Sequence, residues 1–147
     1  MLDTVIDRVR QHREEVVATV LHRLGPTART GKDHSPELDR ARFAALLELV
    51  LGCLEHRSAE DLERHIARVV RRRFGERVAV VELLTALAVL EESLWKLVIE
   101  WSEPREHAEI LGLLSVVFGL ARNRLAEVWI ALAEGREAPD RDFDALY

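Results

Sequence analysis

Two long apolar segments near the end of the chain limit what it can fold into. From about Ala79 to Trp101, the residues Val80, Leu83, Leu84, Leu87, Leu90, Leu94, Leu97 and Trp101 recur at the spacing of one helix face. Val81, Ala88, Trp95 and Ile99 form a second row on the far side of the same helix. A helix that is apolar all round has to be covered all round. The next segment opens at Pro104 and stops at Gly135, residues suited to the first turn and the end of a helix. In it Leu114, Phe118, Ala121, Leu125, Val128 and Leu132 follow one another at steps of 4, 3, 4, 3 and 4, a heptad row. Leu113, Val116, Val117 and Leu120 add a second apolar side to its first half. These two helices own more apolar surface than one core contact uses, and the heptad row is the expected dimer interface.

The remaining segments are helical as well. Leu2 to Arg23 reads as one amphipathic helix, with Val5, Val9, Val16 and Val20 near one face and an interruption at His12 and Arg13. Gly25 to Asp39, with Gly25-Pro26, Gly31 and Ser35-Pro36, is a solvated connector. A second helix opens at Pro36 or Leu38 and runs to about Arg57 on a stripe of Phe43, Leu46, Leu47, Val50, Leu51 and Leu54. Ser58-Ala59-Glu60-Asp61 places a capping hydroxyl before acidic residues and starts a third helix. Leu62, Ile66, Val69, Val70 and Phe74 form its apolar face, and Gly75 suits the left-handed position that ends it. Arg71, Arg72 and Arg73 span about 200° of that helix, so two face solvent and one lays its stem along apolar surface. No segment combines strict alternation with β-branched residues. The expected fold is therefore all-α, a single domain of about five helices over residues 1–135, followed by a polar tail or linker at 136–147.

A chain of 147 residues can bury a real core without disulfides, and its lone cysteine, Cys53, forms none. Cys53 lacks an adjacent His or Lys to lower its pKa and reads as packing. The first twenty residues mix apolar with charged side chains, unlike a signal peptide, and no uncharged run approaches a membrane span. The expected location is cytoplasmic, without membrane contact. A net charge of -5 argues against nucleic acid as a partner. The basic run Arg68 to Arg73 lacks interleaved aromatics and suits ion pairs or an acidic protein surface better.

Catalytic patterns are absent from the sequence. The serines sit in no nucleophile-elbow setting, and no glycine-rich loop is built to cradle phosphate. Adjacent carboxylates such as Glu91-Glu92 point in different directions on a helix. Six histidines raise the question of haem or metal, but neither HExxH nor the Glu-x-x-His pair of di-iron bundles occurs. His65, one step from the Leu62-Ile66-Val69 stripe and four residues after Asp61, is the best-placed haem ligand; its simpler role is a stripe-edge surface residue beside Arg64 and Arg68. His107 is expected to be exposed. The chain is read as a non-enzyme with no cofactor and no metal, with haem at His65 as the alternative. A ligand-binding helical domain would instead require a cavity lined by side chains such as Leu47, Leu87 and Phe118.

From Leu38 onward the order of helices and corners resembles bacterial sensor globins, and more closely the non-haem globin-like N-terminal domains of the RsbR-type stressosome co-antagonists. Ile66-Ala67-Arg68-Val69 matches that family's Ile-x-Arg-Val segment, and Phe74-Gly75 matches its corner. Val80 to Trp101 and His107 to Ala133 match the last two helices, so the resemblance covers about two thirds of the chain. In haem-binding sensor globins an axial His follows the Ile-x-Arg-Val segment. Here Val70 and Arg71 stand there, and neither offers iron a lone pair. The resemblance thus implies a globin-like architecture without its haem. It also implies a dimeric sensor or scaffold domain of a stress-response pathway, signalling through regulatory protein partners.

Overall fold

The computed structural model describes residues 2–25 and 35–135. Among them the chain is all-helical, with no strand: α1 (Leu2–Gln11), α2 (Arg13–Leu24), α3 (Pro36–His56), α4 (Glu60–Gly75), α5 (Val80–Trp101) and α6 (Pro104–Ala133). The expected tail at 136–147 and most of the connector before α3 lie outside the described residues.

The single N-terminal helix expected from periodicity is two helices. His12, at φ -105° and ψ 20°, interrupts the regular dihedrals, although its N–H still donates to Arg8 O at 3.1 Å. The bend lies where the chain meets Trp101 at the end of α5. The Arg8 guanidinium sits 4.6 Å from the Trp101 ring centroid, and the His12 ring centroid 5.4 Å away. Cation–π attraction and ring contact there compensate for the missing apolar residues at positions 12 and 13. Arg10 fixes α1 across α3: it donates twice to Glu55 at 2.8 and 2.6 Å and through Nε to Glu48 at 2.9 Å. The guanidinium in turn holds the Glu55 carboxyl below the usual carboxylate range.

Local chemistry fixes the other helix ends. Ser35 Oγ accepts from Leu38 N–H at 3.1 Å with Pro36 in the first turn, and Arg57, in the left-handed region, closes α3. At α4 the cap is shifted by one: Ala59 holds the N-cap position, while Ser58 Oγ accepts from Glu60 N–H at 3.4 Å. Gly75 does not adopt the left-handed conformation expected of it; Arg77 does, at φ 61°. The hydrogen bonds give the reason. Val78 N–H reaches Arg73 O and Arg77 N–H reaches Phe74 O, each at 3.1 Å, a Schellman closure whose left-handed position falls two residues after the glycine. An arginine there carries the Cβ penalty that glycine escapes. Arg77→Gly is therefore expected to raise stability by roughly 1 kcal/mol, seen as a higher urea midpoint at unchanged slope. At the C-terminal end, Gly135 at φ 71° follows α6 as its stop.

The core lies where α6 packs on α3, α4 and α5, and α1 and α2 extend it against α3 and α5. Phe118, Ala121 and Val128 have no exposed surface, Leu114 is 1% and Leu125 2% exposed, and Leu132 is half-buried against the same cluster. All this burial occurs within one chain. The heptad row Leu114, Phe118, Ala121, Leu125, Val128 and Leu132 is therefore the subunit's own core, and its assignment to a dimer interface is corrected. Its large side chains meet Leu47, Val50 and Leu51 of α3, Leu62, Ile66 and Val70 of α4, and Leu87, Leu90 and Leu94 of α5 in a single cluster. As expected, one arginine of the triplet turns inward: Arg73 is 5% exposed and paired to Glu76 at 2.8 Å, while Arg71 and Arg72 are exposed. Among the described residues no helix is long and apolar enough to cross a membrane.

Candidate functional site

Four helices leave a cavity of about 350 Å3 where α2 and α3 face α4 and α5, with Leu125 of α6 also on its wall. That volume is in the range of small-ligand sites. Leu21 and Leu24 come from α2, Phe43 and Leu46 from α3, Ile66 and Val69 from α4, and Leu83 and Leu87 from α5. The start of the α3 stripe explains the gap. Asp39 and Arg42 occupy positions that apolar residues fill one and two turns later, so the apolar packing between the helices is interrupted there. Leu87 lines the cavity as a ligand-binding reading requires. Leu47 and Phe118 do not, being packed without exposed surface in the core.

The polar part of the wall is mainly basic. Arg42, Arg72 and Arg73 line it together with His65, Asp39 and Glu82. Burial lowers the pKa of Arg42, and the neighbouring charges of Arg73 and Arg72 lower it further, against Asp39 and Glu76. Its Nη1 is shut off from solvent without a hydrogen-bond partner among the described residues; Asp39 Oδ1 lies 4.0 Å away. Arg42 did not stand out in the sequence. Its one signal is an Asp39/Arg42 pair three residues apart at the head of an otherwise apolar stripe.

His65 is half-buried on this wall, and Asp61, four residues before it, accepts from Arg64 at 2.9 Å. Burial, then Arg68 and Arg72, push the imidazole below its ordinary value. It is therefore neutral at neutral pH. The sign follows: above about pH 6.5 His65 is uncharged in both folded and unfolded chains and contributes no pH dependence. As pH falls below that value the unfolded chain takes up the proton more readily, and folding is penalised. Thermal unfolding between pH 7.5 and 5.5 is expected to show a falling midpoint, and His65→Gln to flatten the fall.

The other candidates for chemistry are occupied. Burial raises the Cys53 thiol, which stays protonated in the core. Ser93 Oγ donates to Val89 O at 2.7 Å, Ser102 Oγ to Val98 O at 2.5 Å, and Ser35 caps α3. His107 is half-buried, its Nε2 3.1 Å from Ser102 O. Among the described residues no three His, Cys, Asp or Glu side chains are grouped to hold a metal.

A second feature lies on the outside. The far row of α5, expected to be covered, is exposed in the single chain: Val81 64%, Trp95 37% and Ile99 51%, with Ala88 exposed between them. On α6 the exposed row is Gly112, Val116, Asn123, Ala126, Ile130 and Ala133, with half-buried Gly119 completing a 4-3 repeat; Val116 is 60% and Ile130 49% exposed. The Arg122–Glu91 ion pair, at 2.6 Å, joins the two helices. Two residues connect α5 to α6, so the helices run antiparallel, and both exposed rows flank that contact on the same side of the molecule. Compared with protein-family models, with curated proteins and with solved structures, the chain matches none.

Proposed function

We propose that the chain is a non-catalytic regulatory domain that works as a homodimer, a sensor or scaffold of the stressosome type acting through protein–protein contacts. The observation that supports this most directly is the outer face of α5 and α6. Five large apolar side chains there are exposed, arranged in two heptad rows on adjacent antiparallel helices. Exposed apolar area on that scale marks interaction surfaces on soluble proteins. Two copies related by a two-fold axis would pair the rows as a four-helix bundle, each covering the other's. Gly112, Gly119 and Ala126 allow close approach of the α6 backbones, and Asn123 is the kind of polar row member that fixes register. Light scattering on eluted protein at micromolar concentration tests this: twice the 16.8 kDa of one chain is expected, and a single-chain mass opposes the reading.

A second reading, a globin-type sensor of haem or another small ligand, is favoured by one observation: His65 stands on the cavity wall as a neutral imidazole, the only nitrogen ligand among the lining residues described. Haem would bring an absorbing, redox-active iron. Titration should then give a Soret band that His65→Ala abolishes; no band at stoichiometric haem removes the reading.

A further inference from the structure

We infer that the cavity binds an apolar molecule carrying one anionic head, with the head against Arg42 and Arg72 and the body among Leu21, Phe43, Leu46, Ile66, Val69 and Leu83. This deepens the sensor reading by naming the ligand class, and it rests on that reading only for the purpose of binding; the dimer can stand or fall separately.

Three observations carry it. First, the wall is apolar over most of its area yet brings three arginines from two helices to one cavity. Arg42 is the half-buried one of the three that lacks a hydrogen-bonded acceptor at Nη1, and a buried guanidinium nitrogen left without an acceptor is costly. Second, the local carboxylates do not hydrogen-bond every guanidinium. Glu76 is engaged by Arg73 at 2.8 Å, and Asp39 stands 4.0 Å from Arg42, beyond hydrogen-bond distance. Arg72 makes no ion pair or side-chain hydrogen bond among the described residues, and Nη1 of Arg42 is buried with no acceptor. Third, the lining offers apolar side chains from four helices to a guest's body. The lining runs from the end of α2 at Leu21, Leu24 and Gly25, across α3, to the middle of α4 and the first turns of α5. A planar carboxylate can accept from a guanidinium fork while its chain displaces water from leucine and valine surface. Asp39 and Glu82 are the acidic lining residues that oppose this assignment, so the test includes a cationic guest.

The experiment is calorimetric titration of the intact protein with decanoate, decanol and decyltrimethylammonium, which share a chain and differ in head charge. Decanoate is expected to bind at least about tenfold more tightly than decanol, a difference of about 1.4 kcal/mol, and decyltrimethylammonium more weakly than either. Arg72→Gln, an exposed position whose change leaves the fold intact, should weaken decanoate about tenfold and leave decanol unchanged. Arg42→Gln should do the same, its fold checked by circular dichroism. Equal affinity for decanoate and decanol, tighter binding of the cation, no heat from decanoate at millimolar concentration, or unchanged decanoate affinity in Arg72→Gln would each overturn the assignment. Chromatography of the same samples reports the oligomeric state, so a ligand failure and a dimer failure read out separately.

Discussion

Phe118→Ala is expected to cost about 3–5 kcal/mol, lowering the thermal midpoint by roughly 10 °C, and Phe118→Glu is expected to leave the chain unfolded. Phe118 has no exposed surface and sits on the α6 row that packs against α3, α4 and α5. Truncation removes a large buried ring and leaves a void that packed leucines can only partly close. A carboxylate at the same place would have to enter the core uncompensated. Circular dichroism melts check both. An interface role for the row would give the reverse result, a folded single chain with its helical signal intact, and Leu125→Glu discriminates in the same way from 2% exposure.

The opposite outcome is expected at the outer face. Ile99→Glu combined with Val116→Glu should leave helical content and thermal midpoint of the single chain nearly unchanged, since both side chains are more than half exposed within it. The two changes should nevertheless weaken self-association by roughly a hundredfold or more, because a two-fold pairing brings each new carboxylate near its symmetry mate in a water-poor seam. Mass by light scattering should fall from two chains to one. An unchanged mass would move the interface elsewhere.

The contrast between these variants shows what the sequence does and does not carry. Helix positions are legible because they depend on local chemistry: Ser35-Pro36 opens α3, Pro104 opens α6, and the four-three rhythm runs through α5 and α6. The turn after α4 is not, because hydrogen bonds to Arg73 and Phe74 decide where the left-handed residue falls, and they place it at Arg77 although a glycine stands two residues earlier. The break at His12 likewise lies against Trp101, distant in sequence. On α6 two rows share the heptad spacing, and spacing alone cannot tell inside from outside. Side-chain volume can: Leu114, Phe118, Leu125 and Val128 fill a core, whereas Gly112, Gly119 and Ala126 cannot. The second row of α5 is legible as a row, but the cover expected for it is not supplied by this chain: Val81, Ala88, Trp95 and Ile99 are all exposed. The cavity is the least legible feature. It exists where residues from four helices fail to meet, and no single segment records that. His65 is visible beforehand as a stripe-edge residue; Arg42 acquires its meaning only when α4 brings Arg72 and Arg73 opposite it.

Hydroxyl-radical footprinting across a dilution series tests most directly whether the outer face of α5 and α6 joins two copies. Trp95, Ile99, Val116 and Ile130 should be protected at concentrations where two chains associate and become reactive together on dilution, and they should be reactive at all concentrations in the Ile99→Glu, Val116→Glu variant. Equal reactivity of these four residues at every concentration, with protection appearing on another face or nowhere, would contradict the account.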